Sequence, residues 1–150
     1  MRIANTLMGA PWSETWGRSD HSDVQTAIAH YLRTHYKKRV WTGVAVRVQV
    51  RETRFRIPDV TVMPGSKPDE RIIRKPPIVA VEILSPDDRA GYLEEKINDY
   101  LLFGVPCIWV INPETRRAYI HTPHGSHEVR DGVLRAESAG IDVPLSQIFE

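Results

Sequence analysis

The chain has 150 residues, 41% of them hydrophobic and 26% charged, which suits one ordinary globular domain with a modest core. Twenty basic residues against nineteen acidic ones leave a net charge of +1, excluding a dedicated DNA-packing protein but not a protein with a local basic groove. A single cysteine, Cys107, six histidines without HxxxH or HExxH spacing, and no apolar run near the ~20 residues of a membrane span exclude three classes: a disulfide scaffold, a cysteine or HExxH zinc protein, and a membrane-spanning helix.

Residues 1–18 read as an irregular segment with Gly9, Pro11 and Gly17 and no clear period. They carry no long apolar core, so a secretory signal is not expected, and a cytoplasmic location follows by default. From Ser22 to Tyr36, Val24, Ala27, Ile28, Tyr31 and Leu32 recur at helical spacing, with Ser22 and Gln25 in capping-box form at the helix start. The helix ends before the basic cluster Lys37-Lys38-Arg39. In the segment Val44 to Val50, valine at every second position predicts one amphipathic strand with a solvated face. Ile57 to Met63 predicts a second strand, in which Pro58 implies an edge, a bulge or an end. Residues 64–77 hold four prolines and several charges and read as a loop exposing Lys67, Arg71, Arg74 and Lys75.

Ile78 to Leu84 is apolar at six of seven positions and bounded by prolines, which predicts a buried strand. Ser85-Pro86-Asp87-Asp88 has the form of a helix entry, with a capping serine, proline at the first helical position and acids in the first turn. Leu93, Ile97, Tyr100 and Leu101 supply an apolar stripe, and Gly104 with Pro106 stops the helix. Cys107, read as a small buried hydrophobe, opens a buried strand to Ile111; strand, helix and strand together favour a parallel crossover. Arg117 to His121 is a further strand. Asp131-Gly132 marks a hairpin turn before Val133-Leu134, and Leu145, Ile148 and Phe149 pack the tail. The order predicts an α/β fold, a mixed β-sheet flanked by helices, in one domain over 1–150.

Within this pattern Glu82 is anomalous. A carboxylate in a buried strand costs several kcal/mol unless something pairs with it. Asp59 is a second carboxylate in a short strand-like segment. By strand alternation Asp59 shares a face with Ile57 and Thr61, and Glu82 one with Ala80 and Leu84. On neighbouring strands ~4.8 Å apart the two acids could share a divalent cation, which relieves their repulsion. Lys96 falls within or beside the apolar stripe of the following helix. Each residue also has a plainer reading. Asp59 suits a strand-end aspartate bonded to backbone, Glu82 an ion pair with Arg89 or Arg56, and Lys96 a snorkelling side chain.

The ordered set Pro58-Asp59-Val60, Val81-Glu82-Ile83-Leu84-Ser85-Pro86, Arg89, Lys96, Tyr100, Gly104-Val105-Pro106 and Trp109-Val110-Ile111-Asn112-Pro113 resembles the Uma-two family of restriction-type endonucleases. That family lies within the PD-(D/E)XK nuclease superfamily, and the resemblance covers roughly residues 19–120. It implies a restriction-endonuclease-like fold and Mg²⁺-dependent hydrolysis of DNA phosphodiesters, with Mn²⁺ as a substitute ion. It implies Asp59 and Glu82 as metal ligands with the backbone carbonyl of Ile83, and Lys96 in place of the lysine that the superfamily carries two residues after the Glu, where this chain has Leu84. His21 matches the family's frequent histidine at the first helix, and Gln25 lies one turn further on; both are accessory candidates. Arg56 and Arg89 are candidates to hold phosphates, and a homodimer acting on DNA is the expected assembly. This chain departs from the family in two places: Tyr92 stands where an acid is frequent, and the segment before the first helix is altered. A nuclease fold weakened in catalysis and serving in binding or assembly, or a hydrolase of another phosphate ester, is the alternative.

Overall fold

The computed structural model describes residues 10–149, with side chains from residue 20 onward. Helix α1 spans Ala10–Tyr36. Strands follow as β1 (Val40–Val44), β2 (Val48–Arg51), β3 (Arg54–Arg56), β4 (Val60–Pro64) and β5 (Val79–Ile83). Helix α2 (Ala90–Phe103) leads to β6 (Ile108–Asn112), β7 (Arg117–Thr122), β8 (Gly125–Glu128), β9 (Val133–Ala136) and β10 (Ile141–Pro144). Six strands form one sheet in the order β1-β4-β5-β6-β7-β8, with β5 and β6 parallel and the other neighbours antiparallel. The fold is thus α/β, with the mixed sheet expected from the sequence and the parallel crossover through α2 at its centre.

Two apolar layers sandwich the sheet. On one face Val24, Ile28 and Leu32 of α1 pack on Val60, Val62, Val81 and Trp109. The β9–β10 ribbon covers part of the same face through Leu134, Ile141 and Val143. On the other face Ile97 and Tyr100 of α2 and Val48 and Val50 of β2 pack on Ala80, Ile108 and Val110. The fully buried pattern of β5 follows from being covered on both sides, which is why its sequence is a continuous apolar run rather than an alternating one. Among the described residues no helix is long and apolar enough to cross a membrane.

Several local expectations are corrected. Helix α1 begins at Ala10, so residues 10–18 are helical rather than irregular, and residues 1–9 lie outside the described residues. Ser22 and Gln25 are therefore interior positions, not a capping box. The strand expected over Val44–Val50 breaks at Ala45, whose φ of 53° turns the chain out of the main sheet and into the β2–β3 ribbon. Of the alternating valines only Val48 and Val50, in β2, are buried, while Val44 at the end of β1 is exposed. The Ser85–Asp88 segment is a turn closed by Asp88 N–H to Ser85 O (3.0 Å) and Ser85 N–H to Asp88 Oδ2 (2.8 Å). It does not open the helix, whose N-cap is Arg89. At the other end Gly104 caps α2 with φ of 106°, as expected from sequence. Asp131-Gly132 precedes β9, but β9 pairs with β10, so the turn closes no hairpin with β8. The 65–78 loop does expose Lys67, Arg71, Arg74 and Lys75, yet buried Ile73 ties it to β2 through Ile73 N–H to Arg47 O (2.9 Å) and Gln49 N–H to Ile73 O (2.8 Å).

Cys107 sits in the α1-side core, and burial pushes its thiol up to about 11 from an ordinary 9.0. The folded state therefore favours the protonated thiol, while the unfolded chain ionises it first. This contribution to stability is complete below pH 9 and declines as pH rises from 9 towards 11. The expected outcome is that a thiol-disulfide reagent at pH 8 leaves the native chain unlabelled and labels it stoichiometrically in urea; rapid native labelling would contradict the burial.

Candidate active site

The end of the β4–β5 pair gathers the acids. Val60 is the register partner of Val81, and the Asp59 amide also donates to Val81 O at 2.9 Å. Asp59 itself lies outside β4, in the bend that leads into the strand. The alternation that would group Asp59 with Thr61 is broken there, and Asp59 meets α1 instead. His21 Nε2 lies 3.1 Å from Asp59 Oδ1, and Gln25 Nε2 donates to Asp59 O at 2.8 Å. Four residues apart on a helix, these two side chains fall on one face, so a single turn of α1 grips both ends of the aspartate. The Ile83 amide donates to Asp59 Oδ2 at 2.7 Å, bringing this carboxylate against the backbone next to Glu82.

Glu82 points to the α2 side and is 3% exposed. Lys96 Nζ lies 3.0 Å from its Oε1, and the Tyr100 hydroxyl donates to its Oε2 at 2.6 Å. Lys96 and Tyr100 are again four apart on one helix face. The sequence alternatives for these residues resolve accordingly: the ion-pair partner of Glu82 is Lys96, not Arg56 or Arg89, and the Lys96 side chain is 17% exposed, turned inward rather than snorkelling.

Electrostatics follow the geometry. Burial raises the Glu82 pKa above the ordinary carboxylate value against the opposing Lys96 charge and Tyr100 hydrogen bond, and Asp59 adds repulsion. Lys96 is pulled down by burial, but the Glu82 charge and hydrogen bond outweigh it and hold the amine above its ordinary value. Burial and the neighbouring Glu82 push the Tyr100 hydroxyl far above the usual tyrosine range, so it remains a donor. The hydrogen bond to Asp59 raises His21, helped by the charges of Asp59, Asp88 and Glu82. Asp88, in the turn after β5, was not expected from sequence as part of this charge cluster. Its field reaches both His21 and Lys96.

Arg56 is not placed as a phosphate ligand. It is 8% exposed, with Nε 2.7 Å from Asp99 Oδ2 and Nη2 2.9 Å from Glu95 Oε1. Arg54 joins the same acids at 3.3 and 3.6 Å. Asp99 was missed because it falls between Lys96 and Tyr100 in a helix where most acids are solvated; its spacing from Glu95, one turn, was the available signal. Arg89, by contrast, is exposed at the N-terminus of α2, beside the turn that follows β5.

Residues 8–145 match the family described as "Uma2: Putative restriction endonuclease". The chain belongs to the Uma2 family. A crystal structure described as a putative nuclease belonging to DUF820, from Anabaena variabilis ATCC 29413, superposes with a TM-score of 0.74 at 18% identity, covering 87% of this chain and 80% of that one. That likeness shows the fold, and no curated protein matches the sequence. Family and fold together are those of a restriction-endonuclease-like nuclease. Asp59, Glu82 and Lys96 come together near the end of β5.

The Arg56–Asp99 pair is buried on both sides, and without Asp99 the buried Arg56 charge keeps only Glu95, whose side chain is more than half exposed. Asp99→Ala is expected to lower unfolding free energy by about 3 kcal/mol in urea titration. The double change Arg56→Met with Asp99→Leu should recover most of that loss, and a double variant as unstable as the single would contradict the account.

Proposed function

We propose that the chain is a metal-dependent endonuclease that hydrolyses phosphodiester bonds of DNA, using Mg²⁺ or Mn²⁺ held by Asp59 and Glu82. The observation that carries this reading is a carboxylate buried at the end of the central strand pair, with a lysine on one of its oxygens and a second carboxylate braced against the adjoining backbone. Asp59 raises the energy of the ionised Glu82, a repulsion that a divalent ion between them would relieve.

The donor chemistry fits a hard divalent ion. Magnesium is commonly bound by one or two carboxylates, with water and substrate phosphate completing the shell. Asp59, held from the α1 face, and Glu82, held from the α2 face, would supply that pair around the strand end, with the Ile83 carbonyl as the proposed third protein ligand. When bound, such an ion supplies charge to polarise the phosphate and to lower the pKa of a coordinated water.

The chain's own groups have distinct tasks. His21 and Gln25 fix Asp59 from α1. Tyr100 orients Glu82 through a hydroxyl that keeps its proton. Lys96 spends one of its three donors on Glu82 and has others to orient the attacking water or to neutralise charge building on the phosphate. Arg89 and the exposed cations of the 65–78 loop are the proposed sequence-independent phosphate contacts. Cutting both strands needs two such sites, and β1 is an open sheet edge, so a homodimer is the proposed working unit.

Glu82→Gln keeps side-chain volume and the Tyr100 hydrogen bond while removing charge; Asp59→Asn does the same at the other acid. Each is expected to reduce Mg²⁺-dependent nicking of supercoiled plasmid by roughly 100-fold or more with an unchanged circular dichroism spectrum. Undiminished cleavage by either variant overturns the assignment. Wild-type protein that binds no Mn²⁺ in calorimetry and cuts neither DNA, RNA nor nucleotides would leave the fold a role in binding instead.

A further inference from the structure

Tyr92 lies one helical turn before Lys96 on α2 and is 50% exposed. Lys96 Nζ stands over its ring at 4.7 Å from the centroid, and Arg56 Cζ at 5.4 Å. Arg56 cannot drift, because Asp99 and Glu95 hold its guanidinium at 2.7 and 2.9 Å. Glu95, the sequence neighbour of Lys96, is turned towards Arg54 and Arg56 at 3.6 and 2.9 Å. The ammonium therefore has the carboxylate of Glu82 on one side and the ring of Tyr92 on another.

We propose that Tyr92 is the positioning residue for Lys96, its ring face holding the ammonium against Glu82 without neutralising it. Lysine carries its charge on a flexible four-carbon stem, and a single ion pair leaves that stem many ways to reach the same oxygen. A ring face adds a second, directional attraction to the cation. A carboxylate at position 92 would attract Lys96 as well, but it would cancel the charge that an anionic phosphate needs. An aliphatic side chain would fill the space and attract nothing. The aromatic ring alone fixes the amine and leaves its full charge available. For its role in the reaction this inference rests on the nuclease function proposed above; the contact between ring and amine does not.

The two can be tested apart. The chain has five lysines, Lys37, Lys38, Lys67, Lys75 and Lys96, so ¹³C-lysine labelling of the full protein gives few signals, and Lys96→Arg assigns the one that matters. Ring current over Lys96 should move its ε-methylene resonance upfield of the other four. Tyr92→Leu is expected to return that resonance to the group and to lower kcat for plasmid nicking by about 10-fold, with KM changed by less than ~2-fold. Tyr92→Phe, which keeps the ring face, should restore both the resonance and the turnover. A Lys96 resonance unmoved in Tyr92→Leu, or a Phe variant that restores neither, overturns the proposal. If the wild-type chain cuts no phosphodiester, the proposed function falls, and the resonance by itself upholds or overturns the placement of Lys96 by Tyr92.

Discussion

Everything at the candidate site depends on how the fold accommodates one buried charge. Glu82 lies in the central strand pair with both faces covered, where an unpartnered carboxylate would cost several kcal/mol. Its two oxygens are met by two side chains from one face of α2, and the α2 crossover that makes β5 and β6 parallel is what brings that face over the strand end. The strand supplies the acid, the crossover supplies its partners, and neither is stable in its present form without the other.

A second layer of charge holds the first. Arg56 reaches from the β2–β3 ribbon to Asp99 and Glu95 on α2, locking the ribbon to the helix that carries Lys96 and Tyr100. Helix α1 does the corresponding work from the opposite side, through His21 and Gln25 on Asp59. The site is thereby assembled from four elements that would otherwise slide independently: a strand end, a helix on each face, and a ribbon tied back to one of them. This is the support that a hydrolytic site needs if its reacting groups are to hold their places within a fraction of an ångström.

Much of this was legible from sequence, for identifiable reasons. The apolar run around Glu82 announced a doubly covered strand, and the single acid within it announced a partner. The stripe Leu93, Ile97, Tyr100 located the buried face of α2 and placed Lys96 beside it. Gly104 marked the helix end by its left-handed conformation. What escaped was mostly tertiary. Nothing local in Val44–Val50 distinguishes one strand from two, because the break at Ala45 is imposed by where the ribbon must go, and alternation continues on both sides of it. The Ser85-Pro86-Asp87-Asp88 segment has the composition of a helix start, yet its serine and aspartate close a turn on each other. Asp59 sits in the bend before β4, outside the strand, so a period-2 argument fails at the one residue where its outcome matters most. Arg56 read as an available cation because its acids lie some forty positions away in the chain.

The central claim, that Asp59 and Glu82 together hold one divalent ion, is tested most directly by anomalous scattering from a crystal of the chain soaked in Mn²⁺. The account predicts one strong peak in contact with both carboxylates at roughly 2.0–2.2 Å, with Lys96 still on Glu82. A soaked crystal with no peak there, or with manganese bound only at surface acids, would contradict it.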